Sequence, residues 1–200
     1  IVVDAFDHGS YIKIIPDQQK IIGYTTKNSG GVPANFKNYF VIKFDKSFTV
    51  SNIWHDSVLQ KGTLELQADH TGAIVGFKTK KGEKVGIKTA SSFISFEQAE
   101  LNLQREIGQD NFDVTCKKAK DIWNKELGRL AVEGGSSDQV RTFYSSLYRV
   151  MLFPRKFYEI DAKNEIVHYS PYNGKVLPGY MFTDNGFWDT FRAVHPFFTL

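Results

Sequence analysis

The stretch Ser92-Phe93-Ile94-Ser95-Phe96-Glu97-Gln98-Ala99-Glu100-Leu101-Asn102-Leu103 decides how the chain is read, because its apolar spacing changes there from that of a strand to that of a helix. Ser95 to Gln98 has the form of a capping box, in which the hydroxyl and the Gln side chain satisfy backbone donors that a first helical turn leaves orphaned. Ala99, Leu103 and Ile107 then recur at helical spacing, and Gly108 ends the helix.

Working outward toward the N-terminus, the chain reads as strands. Residues 11–15 and 21–25 are short, β-rich and separated by Pro16-Asp17. Residues 39–44 put Phe40, Ile42 and Phe44 on one face. Leu64 and Leu66 alternate with polar neighbours, and Asp69-His70-Thr71-Gly72 supplies a turn. Residues 73–78 and 85–89 flank a basic run of Lys78, Lys80, Lys81, Lys84 and Lys88 around Gly82, which reads as a solvated hairpin tip. Short strands punctuated by Gly and Asp predict an antiparallel β-sandwich.

Toward the C-terminus the pattern is helical. Residues 111–127 carry Ala119, Ile122, Trp123 and Leu127 on one face and stop at Gly128. A third helix opens with Ser136-Ser137-Asp138-Gln139, and Val140, Phe143, Tyr144, Leu147, Tyr148 and Met151 form a wide apolar face that Pro154 terminates. Such a face requires partners, and left uncovered it favours association. Residues 155–159 read as extended and are followed by a long loop to Gly179. Thr183-Asp184-Asn185-Gly186 then leads into a helix start at Phe187-Trp188-Asp189-Thr190-Phe191-Arg192. The domain change falls between residues 95 and 135, with no internal repeat.

Composition narrows the function classes. With 42% hydrophobic and 24% charged residues the chain can build a core, and a net charge of +3 is too small to argue for nucleic acid. No stretch is long and apolar enough to cross a membrane, and no signal peptide is visible. A single Cys116 excludes an internal disulfide framework. His8, His55, His70, His168 and His195 are scattered without ligand spacing, and no phosphate-binding, dinucleotide, zinc-protease or nucleophile-elbow motif is found. Seventeen Phe, nine Tyr and three Trp serve cores first, but aromatic rings also line sugar sites, where the apolar face of a pyranose lies on the ring. Both ends, Ile1-Val2-Val3 and Pro196-Phe197-Phe198-Thr199-Leu200, are apolar, which leads us to expect a piece from within a longer protein.

One cluster combines two carboxylates, an indole and a guanidinium: Asp184, Trp188, Asp189 and Arg192. Trp188 offers a platform for a sugar face, and the Asp189 carboxylate accepts two hydrogen bonds at once, which discriminates the configuration of adjacent hydroxyls. The same residues also suit a purely structural part, with Asp184 as an N-cap, Asp189 paired with Arg192 near the helix start, and Trp188 in a core.

The string Asp184-Asn185-Gly186-Phe187-Trp188-Asp189-Thr190-Phe191-Arg192-Ala193-Val194-His195-Pro196 resembles the Trp-Asp-Thr-x-Arg-x-x-His-Pro segment of glycoside hydrolase family 92, the calcium-dependent, mostly bacterial exo-acting α-mannosidases. Phe143-Tyr144-Ser145-Ser146-Leu147-Tyr148-Arg149-Val150-Met151-Leu152-Phe153-Pro154-Arg155 resembles the helix ahead of that segment. Residues 92–99 with Asn102-Leu103 resemble the junction leaving the family's sandwich, and Gly23-Tyr24 and residues 39–44 fit its strands more loosely.

The resemblance implies a β-sandwich over residues 1–95 lacking its first strands, a helical linker over 96–134, and the first helices of an (α/α)6 barrel over 135–200. It implies inverting exo-hydrolysis of α-linked mannose, α-1,2-mannosidase-like, from glycans, with Trp188 and Asp189 on the mannose in the −1 subsite and Arg192 orienting Asp189. An acid would protonate the leaving oxygen while a carboxylate activates water opposite it. Both are expected beyond Leu200, as are most ligands of the Ca2+ ion that would hold two mannose hydroxyls. No catalytic residue and no metal ligand is therefore assigned here, and the 200 residues alone are expected to be inactive. The family implies a periplasmic, cell-surface or secreted location. A barrel hydrolase for another sugar and a non-catalytic glycan-binding or structural module remain as alternative readings.

Overall fold

The computed structural model describes residues 1–199. Strands β1 (Val2–Asp4), β2 (Ser10–Ile15), β3 (Lys20–Thr25), β4 (Asn38–Phe44), β5 (Val50–His55), β6 (Val58–Gln60), β7 (Glu65–Ala68), β8 (Thr71–Gly76) and β9 (Ile87–Ser92) precede helix α1 (Phe96–Glu106). Helices α2 (Phe112–Leu127) and α3 (Ser137–Val150) follow. The remainder comprises β10 (Arg155–Lys156), β11 (Glu159–Ile160), β12 (Ile166–Tyr169), β13 (Val176–Pro178), β14 (Phe182–Thr183), α4 (Phe187–Thr190) and α5 (Val194–Phe197). The chain divides into two compact units, one made of Ile1–Gln109 with Glu159–Gly179, the other of Asp110–Tyr158 with residues 180–199.

The first unit is built on two antiparallel sheets, ordered β1-β8-β5-β6 and β7-β2-β3-β4-β9. Period-two alternation in β2 sends Ile12 and Ile14 inward, where they meet Ile21 and Phe44 of their own sheet and Ile53, Ala73 and Val75 of the other. Ile12, Ile21 and Ile53 are fully buried, and each contributes on the order of 2 kcal/mol. The expected face of Phe40, Ile42 and Phe44 packs on this core. The opposite face of the five-stranded sheet is covered as well, with Val41 against Ala99 and Leu103 of α1. Tyr24 and Tyr39 share a ring cluster with Phe96 there. Burial on both sides explains why β3 reads as a nearly continuous apolar run.

Two expectations are corrected here. Residues 73–78 and 85–89 are not the arms of a hairpin: β8 lies in the four-stranded sheet and β9 in the five-stranded one, so the lysine-rich segment crosses from one sheet to the other. Glu83 anchors that crossing by accepting from the Lys80 N–H at 2.8 Å and pairing with Lys46. The segment read as a long loop to Gly179 contains a three-stranded meander, β11-β12-β13. Asn164 and Gly174, at φ 64° and 71°, are turn residues of that meander.

The cap of α1 is also only half a box. Ser95 Oγ accepts from the Gln98 N–H at 3.1 Å, but the Gln98 amide donates to Asn102 Oδ1 at 2.9 Å and to the Ile160 carbonyl at 2.8 Å. The bond to Ile160 docks β11 onto α1, and the first unit runs past residue 95 to Gln109.

In the second unit, Ser136 forms a full capping box with Gln139 at the start of α3. Trp123 of α2 meets Tyr148 of α3 edge-on at 4.5 Å, and Tyr144 OH donates to the Leu130 carbonyl at 3.1 Å. On the wide face of α3, Leu147 is buried, Val140, Phe143, Tyr144 and Met151 are half-buried, and Tyr148 is exposed.

Candidate functional site

The residues singled out around Trp188 all lie in the second unit. There β10 and β14 pair antiparallel, with Arg155 opposite Thr183 and Lys156 opposite Phe182. Tyr158 packs edge-on against Tyr180 at 4.8 Å and Phe182 at 5.7 Å, fixing the ladder from one side. The register brings Arg155 beside Asp184, and the two form an ion pair across 29 residues of chain. Asp184 also accepts from Thr183 Oγ1 at 2.9 Å. The Arg155 guanidinium holds the Asp184 carboxyl below the usual carboxylate range, with Thr183 acting the same way and partial desolvation opposing. Asp184 is thus committed to Arg155 and is not the helix N-cap; Gly186 occupies that position.

The helix α4 that follows is one turn long. Gly186 has no side chain to cap it, and its carbonyl accepts from the Asp189 N–H at 3.1 Å and from Thr190 Oγ1 at 2.9 Å. Three large side chains leave this turn outward. Phe187 is 78% exposed, Trp188 83% and Phe191 51%. Asp189 is exposed beside them, and a Cβ added at Gly186 would collide with its carboxylate. The turn thus carries an exposed indole and an exposed carboxylate at adjacent positions.

Arg192 lies elsewhere than the sequence suggested. Its guanidinium sits over the Phe191 ring, 5.1 Å from the centroid, and among the described residues no ion pair joins it to Asp189. Sequence reasoning quoted Arg155, Thr190 and His195 only as positions that carry the resemblance and gave none of them a role. Arg155 is far away in sequence and only strand register reveals it. His195 comes within 3.1 Å of Thr190 across the break between α4 and α5, where neither helical nor strand periodicity applies.

Calcium requires six to eight oxygen donors. Among the described residues no three His, Cys, Asp or Glu side chains are gathered. These residues do not fit a calcium cage, and no chemical step is assigned to the ion here.

Comparison with known proteins places this geometry in a family. The sequence profile of the glycosyl hydrolase family 92 N-terminal domain matches residues 1–92, and that of the family 92 catalytic domain matches residues 98–200. A solved structure of an inverting mannosidase of family GH92 from Bacteroides thetaiotaomicron VPI-5482 is 50% identical and superposes over 100% of this chain and 27% of its own, with a TM-score of 0.96. A second family GH92 α-mannosidase from Bacteroides thetaiotaomicron, in complex with mannoimidazole, is 27% identical over 97% of this chain and 26% of its own, with a TM-score of 0.83. A protein of Arthroderma benhamiae described as an uncharacterized secreted glycosidase is 29% identical over 117 residues, 56% of this chain and 14% of its own length. The chain spans about a quarter of the length of the solved structures it matches. Its β-rich unit of antiparallel sheets followed by helices is the arrangement those structures share, and the chain belongs to glycosyl hydrolase family 92.

Proposed function

We propose that this chain is part of an enzyme that removes α-linked mannose from the ends of glycans with inversion, and that Trp188 and Asp189 grip the departing mannose. The observation that carries the reading is the outward projection of both side chains from a single turn, in a chain half identical to an inverting mannosidase along its whole length. In this reading a pyranose lies on the Trp188 ring and the two Asp189 oxygens accept from adjacent hydroxyls at its edge. Arg192, stacked on Phe191, serves as a border of the platform. Neither the acid nor the base of an inverting reaction is assigned to residues 1–199, and calcium, where the reaction uses it, takes oxygen donors from elsewhere. The likeness to a secreted glycosidase supports an extracellular or periplasmic place of work, and among the described residues no helix is long and apolar enough to cross a membrane.

The test is Asp189→Asn and Trp188→Ala in the full-length gene product, assayed on α-1,2-mannobiose with calcium present. Each variant is expected to keep its far-ultraviolet circular dichroism and lose about a hundredfold or more in kcat/KM. Unchanged turnover in both would refute the assignment. Binding of mannose without any turnover by the wild type would instead make the platform part of a glycan-binding module.

A further inference from the structure

The platform stands on two helices of four residues each, α4 and α5, neither of which has a side-chain cap. Helices this short do not persist on their own hydrogen bonds, so other contacts must hold the turn that aims Trp188 and Asp189. Three observations converge on His195. Its ring lies 5.7 Å from the Phe187 ring and 6.5 Å from that of Phe198. Its Nε2 lies 3.1 Å from Thr190 Oγ1. That hydroxyl in turn lies 2.9 Å from the Gly186 carbonyl oxygen.

The direction of these bonds follows from counting protons. A carbonyl oxygen only accepts, so the single hydroxyl proton of Thr190 goes to Gly186. Having spent it, Thr190 Oγ1 can only accept from the imidazole, and His195 must donate from Nε2. The chain of donors runs from His195 through Thr190 to the carbonyl at the base of the turn. That same carbonyl receives the Asp189 N–H at 3.1 Å, one residue from the indole.

We propose that His195, protonated on Nε2, is a positioning residue that fixes the Trp188–Asp189 platform through Thr190. This rests on the reading that the platform grips mannose. His195 touches neither sugar nor reacting atoms; it holds the Gly186 turn closed so that the indole and the carboxylate keep their mutual angle.

The test compares variants that keep the donor with variants that remove it, in the full-length gene product. His195→Gln retains an N–H at nearly the same reach and Thr190→Ser retains the hydroxyl, whereas His195→Phe and Thr190→Val keep the bulk and lose the bond. The expected result is a fall of about tenfold in kcat/KM and in mannose affinity for the Phe and Val variants, with the Gln and Ser variants within about threefold of wild type. Imidazole nitrogen-15 spectra of the wild type, assigned by the resonance that His195→Gln removes, are expected to show the proton on Nε2. An Nε2 without a proton overturns the proposal even if His195→Phe does not fold. Wild-type kinetics in His195→Phe, while Asp189→Asn abolishes turnover, overturn the positioning part and leave the platform standing. Wild-type kinetics in Asp189→Asn remove the platform, and the proposal with it.

Discussion

Asn102 donates from Nδ2 to Glu159 Oε2 at 2.7 Å, linking the first helix to a strand 57 residues later. The other carboxylate oxygen of Glu159 accepts from Ser92 Oγ and from the Phe93 N–H, each at 3.0 Å. One carboxylate thus ties together the last residue of β9, the residue after it and the second turn of α1. Ser92 is buried, so losing the carboxylate strips a partner from a hydroxyl that water reaches poorly. Glu159→Ala is expected to cost about 2–3 kcal/mol in urea unfolding and Glu159→Gln clearly less, because the amide oxygen still accepts. Equal costs for the two variants would show that the carboxylate matters only as bulk.

Close backbone approach makes Gly23 and Gly72 the glycines least open to replacement in the sheets. A Cβ at Gly72 would run into the Val3 carbonyl of the neighbouring strand and the Trp54 ring, and one at Gly23 would meet the Tyr11 carbonyl and the Phe40 ring. Backbone carbonyls in a paired ladder cannot step aside as a side-chain tip can. Gly72→Ala is expected to destabilise by about 1–3 kcal/mol, whereas Gly62→Ala, at a turn with open space around it, is limited to the strain of its φ of 76°. Thermal unfolding of the two variants side by side checks the ranking.

Acid should loosen the molecule in a defined direction. Lys13 and then Tyr11 hold the Glu65 carboxyl below its ordinary range, Lys46 does so for Glu83, and Arg155 for Asp184. A carboxylate whose proton affinity is lower in the folded chain than in the unfolded one stabilises the fold above its unfolded pKa, and that support drains away as pH falls through the folded value. The support is therefore complete above about pH 5, begins to fall near about pH 4 and is gone only once pH is below the lowered folded values. These groups lie near the surface, so each contributes little. Asp184→Asn is expected to lower the melting temperature at about pH 6 and to match wild type near pH 2. A constant difference at both would remove the Arg155 pair as the cause.

Much of this was legible where the physics is local. The capping box at Ser136 and the apolar spacing of Val140 to Met151 define α3 because both act within a few turns of one helix. Strand β4 was legible because Phe40, Ile42 and Phe44 alternate. What escaped depends on pairing at a distance. In β5, Ile53 is the one buried residue among Ser51, Asn52 and His55, and its partner strand β8 begins sixteen residues after β5 ends. The assignment of β8 and β9 to different sheets rests on Val75 meeting Ile53 in the core, which no reading of residues 73–89 alone contains. At the candidate site, the indole and carboxylate at 188 and 189 were visible in sequence, but Arg155 at Asp184 required strand register and Thr190 at His195 required the turn between two short helices.

The sharpest separation between fold and site is available at Gly186. Its φ of −69° and ψ of 125° are open to any residue, so alanine there brings no backbone strain. Replacing an N-cap glycine by alanine costs only about 1 kcal/mol or less. The added methyl would nevertheless collide with Asp189 Oδ2, the free end of a side chain that can rotate away. Stability should therefore hold while the carboxylate swings off its present line. Gly186→Ala in the full-length gene product is expected to melt within a few degrees of wild type and to lose about tenfold in mannose affinity. If affinity instead survives intact, the carboxylate is not held against the sugar in the orientation it has on this turn; if the protein unfolds, the turn supports more of the second unit than its exposed side chains indicate.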